Sequence, residues 1–485
     1  MKRCTSTTIM SGLLLCMMLL ATAALKAQEK MPITTSSDEA RELFIEGRDL
    51  YENFKVPQSI PYFKKAVQLD PTFALAHLYL SNEQTGGADA DKHFKKALEL
   101  SGQVSKSEKY QIQYFKAYRE GNRPKMKEHL DALLSEYPDD ERTHYWMSLF
   151  WFEQDELDKA AEYLKQAVDL NADFAPAHNQ LGYCQMQLGK MDQAEASFKR
   201  YMKLLPEDAA PRDSYAEFLL NQGRFDESIK YYKEALKIDP ELHFSHKGLG
   251  DNYLFKEDYE MARNHYRQSH KLAPNSYYRF NSLLLEATVH LHEDNLDEAT
   301  QVMDRYIELA RQEDLPQYNI YGLGYKGYML TEMGKGQEGL RYYRQAIDMI
   351  ETANLEEPMR KNLRPYGQVW EFYALTGNGD MQEAETKQED CEHALVNCKN
   401  PDIIKLYHTA CGIKELKKGN YEEALTYFKD TWENNPVVYY YTGLALEKSG
   451  QKEEAQKWYQ KVANHYENSL ELAVTRNRAL AGLKE

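Results

Sequence analysis

At 485 residues the chain is too long for one compact core, so it either divides into domains or grows in one direction as a repeat array. It is 42% hydrophobic and 28% charged, with 36 tyrosines against 5 tryptophans and only 16 scattered prolines, which excludes a proline-rich linker. A formal charge of -16 with no basic stripe excludes a surface built for nucleic-acid phosphates or anionic lipid.

Lys2 and Arg3 open the chain and an uncharged apolar run from Ile9 to Ala24 follows. A spanning helix needs about 20 apolar residues. Residues 1–27 therefore read as a signal peptide, with cleavage expected after Ala27 or Ala24. Leu15 before Cys16 is not the small residue of a lipoprotein signal. The mature chain is expected to be exported, periplasmic or secreted, with at most a peripheral membrane association and no membrane span. Cleavage removes three bases and no acids, moving the formal charge from -16 to -19. It leaves Cys184, Cys391, Cys398 and Cys411, with no C-x-x-C pair. Buried thiols are the expectation, and a bridge from Cys398 to Cys391 or Cys411 is the alternative in an oxidising compartment.

After a short linker, residues 28–39, helical periodicity begins. An upstream unit runs from Ala40 to Phe73, with Gly47, Phe63, Ala66 and Pro71. The next is shortened around Gly86 and Gly87, and a third runs from Lys106 to Asp140. A strict period then appears. Pro138, Ala172, Pro206, Pro240 and Pro274 stand 34 residues apart. So do the small residues Ala160, Ala194, Ser228 and Ala262, and the small residues Ser148, Gly182, Ala216 and Gly250. So do the large residues Leu164, Phe198, Tyr232 and Tyr266. Residues three and four apart share a helix face, so each period is expected to be a helical hairpin. Small residues allow close helix approach, Phe198 and its equivalents are expected between neighbouring hairpins, and the prolines end second helices. Beyond Pro274 the small column continues as Ala299, Gly339, Ala384, Ala424 and Ala455. Its steps are 37, 40, 45, 40 and 31 residues, with insertions expected near 312–319, 353–364 and 398–402. Residues 469–485 are expected to cap the stack.

These columns resemble the tetratricopeptide repeat (TPR), whose pattern is W-x2-L-G-x2-Y, A-x3-F, P. The clearest copy is His246, Leu249, Gly250, Tyr253, Ala262, Tyr266 and Pro274; another is His178, Leu181, Gly182, Ala194, Phe198 and Pro206. Histidine (His77, His144, His178, His246, His408) stands in the tryptophan column. The resemblance covers about residues 40–467 and implies an all-α, right-handed superhelical solenoid of about twelve hairpins. Residues 40–278 would form the N-terminal and central array, 279–400 irregular hairpins, 401–467 the C-terminal repeats, and 468–485 a capping helix.

No catalytic constellation emerges. Gly322, Gly324 and Gly327 match G-x-G-x-x-G, but a dinucleotide site needs that motif between a strand and a helix, and here it falls inside a first helix. There is no H-E-x-x-H, and the spacings of His243/His246 and His290/His292 do not gather metal ligands. No enzyme activity, cofactor or metal is expected.

The resemblance implies that first helices line a concave groove that holds a partner. Carrying the inward positions onto this chain gives Tyr145, Leu149 and Phe152; Asn179, Tyr183 and Met186; Asp213 and Glu217; and Lys247, Asp251 and Phe255. Some relatives clamp a C-terminal carboxylate with Lys and Asn, but Asp213, Glu217 and Asp251 stand against that here. The expected function is a non-catalytic scaffold for an unidentified protein or peptide partner; nucleic acid is not expected. The alternative is a glycan- or small-ligand-binding solenoid using groove tyrosines.

Overall fold

The structure, a computed structural model, describes residues 30–81, 88–396, 398, 400–432 and 434–484. Residues 1–27, expected to be a signal peptide, and Gly86 and Gly87, where the second unit of the sequence pattern is shortened, lie outside the described residues. Among these residues the chain is all helix and loop, with twenty-five helices and no strand. Twelve hairpins form in chain order, and one terminal helix is left over. The chain divides into two compact units, Met1–Tyr215 and Ala216–Glu485.

The first unit holds α1 (Asp38–Glu52), α2 (Val56–Leu69), α3 (Ala74–Leu80), α4 (Ala88–Leu100), α5 (Lys106–Arg119), α6 (Arg123–Glu136), α7 (Glu141–Phe152), α8 (Leu157–Leu170), α9 (Ala175–Gln187) and α10 (Met191–Leu204). The unit boundary falls within α11 (Ala209–Asn221). The second unit continues through α12 (Phe225–Ile238), α13 (His243–Phe255), α14 (Tyr259–Leu272), α15 (Ser276–His292), α16 (Leu296–Gln312), α17 (Pro316–Glu332), α18 (Gly336–Thr352) and α19 (Glu357–Asn378). It ends with α20 (Met381–Leu395), α21 (Pro401–Lys418), α22 (Tyr421–Lys429), α23 (Pro436–Lys448), α24 (Lys452–Ala463) and α25 (Leu470–Gly482).

The sequence columns map onto one seam. Ala160, Ala194, Ala262, Leu164, Phe198 and Tyr266 have no exposed surface. The large ring lies inside its own hairpin, against the small residue of the first helix, and not chiefly between hairpins as the spacing suggested. A Cβ built on Gly182 would stand 2.8 Å from the Phe198 ring. Pro138, Pro206, Pro240 and Pro274 each stand just after a second-helix C-cap, where no helical N–H is needed. The turn inside each hairpin needs one left-handed residue. Asp155, Gly189, Gly223 and Glu257 supply it, 34 residues apart, with φ between 61° and 73°. Three of the five column histidines share a cause. Ring Nε2 of His77, His144 and His178 meets the carbonyl of Pro71, Pro138 and Ala172 at 3.2, 2.6 and 2.9 Å, tying each first helix to the end of the preceding hairpin.

The longer steps after Pro274 come mainly from longer helices. Helices α15 to α18 have 17 residues each, and α19 has 22. The glycines of the G-x-G-x-x-G match lie inside α17. A Cβ on Gly322 would meet Tyr306, one on Gly324 Trp370, and one on Gly327 Tyr343. They are helix-packing positions. All four described cysteines are free thiols.

Candidate partner-binding surface

In each unit the chain lays one of its own terminal segments across the hairpins. In the first unit residues 30–37 are extended. Backbone N–H groups of Met31, Thr34 and Ser36 donate to the carboxylates of Asp140 (2.9 Å), Glu108 (2.8 Å) and Asp70 (2.8 Å). The Thr35 hydroxyl donates to Asp70 at 2.6 Å, and Lys30 pairs with Glu141 at 3.0 Å. An extended chain rises about 3.3 Å per residue, so roughly three residues bridge the 8–10 Å between packed helices. The segment passes from the N-cap of α7 over the first turn of α5 to the C-cap of α2 before Ser37 caps α1. Asp70, Glu108, Asp140 and Glu141 are buried. Burial raises the Asp70 carboxyl, but the Thr35 and Thr72 hydroxyls and the Ser36 and Thr72 N–H groups outweigh it and hold it well below the usual range.

In the second unit the C-terminal segment does the same. Tyr466 meets Phe225 and Phe255 edge-on at 5.2 and 5.4 Å. Asn468 donates to the Tyr266 hydroxyl and to Thr288 at 2.8 and 2.9 Å. Helix α25, expected as an end cap, packs on α24 and α23 and also reaches back to α15 and α17. Its Arg478 pairs with Glu332 at 2.8 Å, and Tyr373 and Tyr441 donate to the same carboxylate at 2.6 and 3.0 Å.

These segments bear on the inward residues named from sequence. Tyr145, Asn179 and Asp251 are buried; Leu149, Phe152, Tyr183, Met186, Asp213, Glu217, Lys247 and Phe255 are half-buried. Tyr145 packs edge-on against Phe174 (5.4 Å) and Tyr183 against Phe198 (5.1 Å). Asp251 accepts from Lys247 at 2.7 Å and from the Tyr266 hydroxyl at 2.6 Å, so its charge is satisfied inside the hairpin. Burial lowers the Lys247 amine, but the charge and hydrogen bond of Asp251 more than reverse this and raise it above its ordinary value. Phe255 is covered by Tyr466 and by the Arg476 guanidinium, 5.2 Å from its ring centre.

The second unit also carries an aromatic face that the inward-position count, stopped at Pro274, did not include. On α17, Tyr318, Tyr321, Tyr325 and Tyr328 recur at steps of three, four and three, one stripe of a helix. Tyr277 of α15 is 62% exposed, Phe244 of α13 42% and Tyr325 37%. Phe244 meets Tyr278 edge-on at 5.1 Å, Tyr278 meets Tyr277 at 5.1 Å, and Tyr318 stacks on Phe280 at 4.5 Å. Crowding, then the Glu471 carboxylate and the Tyr321, Tyr277 and Tyr366 hydroxyls, push the Tyr325 phenol up to about 12. The density of tyrosine in α15 and α17 was the signal available in the sequence.

Among the described residues no group of three or more His, Cys, Asp or Glu side chains could hold a metal ion, and no helix is long and apolar enough to cross a membrane. Tetratricopeptide repeat models match residues 152–217, 207–275 and 412–468. Among solved structures the chain is similar to PilW, described as a widely conserved type IV pilus biogenesis factor. The two are 16% identical over 42% of this chain and 92% of that one, with a TM-score of 0.37. It is also similar to MamA from Desulfovibrio magneticus RS-1, at 17% identity over 35% of this chain and 96% of that one, with a TM-score of 0.31. No curated protein matches the chain.

Proposed function

Because the chain is a tetratricopeptide repeat protein, we propose that it is a non-catalytic scaffold that holds a segment of a protein partner against the first helices of its hairpins. One observation carries this reading: Phe244, Tyr277 and Tyr325 stand exposed on three successive first helices, α13, α15 and α17. Exposed aromatic side chains grouped on one face mark a binding surface, and aromatic anchors dominate interface energetics. The extended residues 30–36 illustrate how such an array holds polypeptide, through carboxylates at the hairpin junctions. In the first unit, half-buried Leu149 and Phe152 on α7 and Tyr183 and Met186 on α9 are the positions this reading assigns to the partner.

The apolar run Ile9–Ala24 behind Lys2 and Arg3 supports export, so the partner is sought in the envelope or outside the cell. The test is affinity capture from cross-linked envelopes with mass spectrometry. Wild-type chain should enrich a defined protein, and Tyr277→Asp should lose it at unchanged melting temperature. Equal capture by the variant would refute the aromatic face as the docking surface. Sequencing the mature N-terminus tests export: a start at Met1 would refute it.

A further inference from the structure

The second unit carries an open-mouthed cavity of about 440 Å³ beside the aromatic face. That is room for far more than one water, so a whole side chain can enter. Tyr328 of α17, Tyr373 of α19 and Trp432 of the α22–α23 loop line it with aromatic rings. Asp402, Glu467 and Glu471 line it with carboxylates. Trp432 Nε1–H donates to Asp402 at 3.3 Å, holding the indole at the cavity wall. No lysine or arginine is among the lining residues, and burial shifts the one basic side chain there, His465, below its ordinary value.

This charge pattern departs from the rest of the unit. Other sunken carboxylates there each have a cation: Glu286 has Arg267 and Arg305, Glu332 has Arg478, Glu371 has Arg344 and Lys387, and Glu415 has Lys414, all within 2.8–3.1 Å. Glu471 has instead the Ser469 hydroxyl, its own backbone N–H and the repulsion of Glu467. Burial pushes its carboxyl above the ordinary range, and Glu467 adds to that. The Lys247 ammonium acts on Glu467 only at longer range and is already engaged with Asp251.

We infer that this cavity receives one arginine or lysine side chain of the partner segment, its cation held by Glu467 and Glu471 and its stem lying against Tyr328, Tyr373 and Trp432. The inference rests on the scaffold reading above. A cation is attracted both by carboxylates and by the negative faces of aromatic rings. A neutral sugar would leave Glu471 desolvated without a counter-charge, and an acidic segment would be repelled.

The test titrates the full chain with N-acetylarginine amide, with N-acetylcitrulline amide as its neutral isostere and maltohexaose as a sugar, following tryptophan emission. Trp432→Phe identifies the responding indole. Arginine amide should bind at least tenfold more tightly than citrulline amide. Glu471→Gln should abolish that preference, as should Glu467→Gln, which lies at an exposed position and leaves packing intact. Glu338→Gln, on the exposed side of α18, should keep it. Equal binding of the two amides, tighter binding of the sugar, or a preference that survives in both cavity variants would overturn the inference. If a cross-linked partner is captured while the amides bind equally, the cation site falls and the scaffold stands. An arginine preference without any captured partner sustains the cation site and removes the scaffold.

Discussion

Gly182 on α9 and Phe198 on α10 are in contact so close that a Cβ on the glycine would stand 2.8 Å from the ring carbons. The same interval of sixteen residues links Gly47 to Phe63, Gly250 to Tyr266, Gly327 to Tyr343, Gly412 to Phe428 and Gly443 to Tyr459, with a built Cβ between 2.4 and 2.9 Å of the ring in every case. Hairpins of both units, including the long ones after Pro274, therefore close on one contact.

That contact predicts a specific loss. Gly182→Ala should destabilise the first unit, because overpacking costs about 1–3 kcal/mol while the better helix propensity of alanine returns at most about 1 kcal/mol. Ala194→Leu, at a position with no exposed surface, should also cost about 1–3 kcal/mol. Adding Phe198→Leu to Gly182→Ala should cost less than the sum of the two changes. Denaturant unfolding measures all of these; strict additivity would show that the ring and the glycine are not coupled.

The extended residues 30–36 are expected to be structural. Removing them strips Asp70, Glu108 and Asp140 of one N–H donor each, while Thr72, Ser105 and Arg142 still donate to them, so each lost hydrogen bond should cost about 1 kcal/mol. A chain starting at Ser37 should melt lower, with faster amide exchange in α3, α5 and α7. A synthetic peptide of residues 28–37 added in trans should restore part of the loss. An unchanged melting curve would refute this role.

Glu332 should act as the pin for the C-terminal helix. Its side chain is 2% exposed and holds Arg478, Tyr373 and Tyr441. Arg478→Ala leaves the carboxylate buried without its cation and should cost about 3 kcal/mol. Replacing both partners together, Glu332→Leu with Arg478→Leu, should cost less than Arg478→Ala alone. A double variant less stable than the single would contradict the burial argument.

Acid should weaken the second unit well above the carboxylate range. Burial lowers His243 to about 4, burial with the His246 and Lys233 charges lowers His265 to about 4, and burial with the Arg476 charge lowers His292 to about 3. Each is neutral in the fold, whereas the unfolded chain takes up protons below about 6.5. The unfolded state therefore binds more protons between about 6.5 and 4, and stability falls as pH falls through that window. Melting temperature measured from pH 7.5 to 4.5 should decline, and His292→Phe should flatten the decline. A curve flat between pH 6.5 and 4.5 would refute it.

Thiol chemistry offers a separate check. Burial pushes Cys184, Cys391 and Cys411 up to about 12, so at pH 8 they are protonated and shielded. Native alkylation should mark Cys398 alone, and denatured alkylation without reductant should mark all four. Fewer than four labels in the unfolded chain would reveal a bridge.

Much of the fold was legible in the sequence, because a repeat writes the same local physics many times. The 34-residue columns located the hairpins, the small residues and the prolines, since each answers to contacts within one hairpin or with the next. Even His77, His144 and His178 of the histidine column have a short-range cause in the carbonyl six residues earlier. Only tertiary structure decided which first-helix positions stay open. Met31 meets Asp140 across 109 residues and Asn468 meets Tyr266 across 202, and no periodicity encodes contacts that occur once. Tyr466 and Arg476, equally remote in sequence, cover Phe255, whereas Tyr277 and Tyr325 stay exposed. The tertiary fold of the second unit also gathers Asp402, Glu467 and Glu471 with Tyr328, Tyr373 and Trp432 from five separate parts of the chain around one cavity.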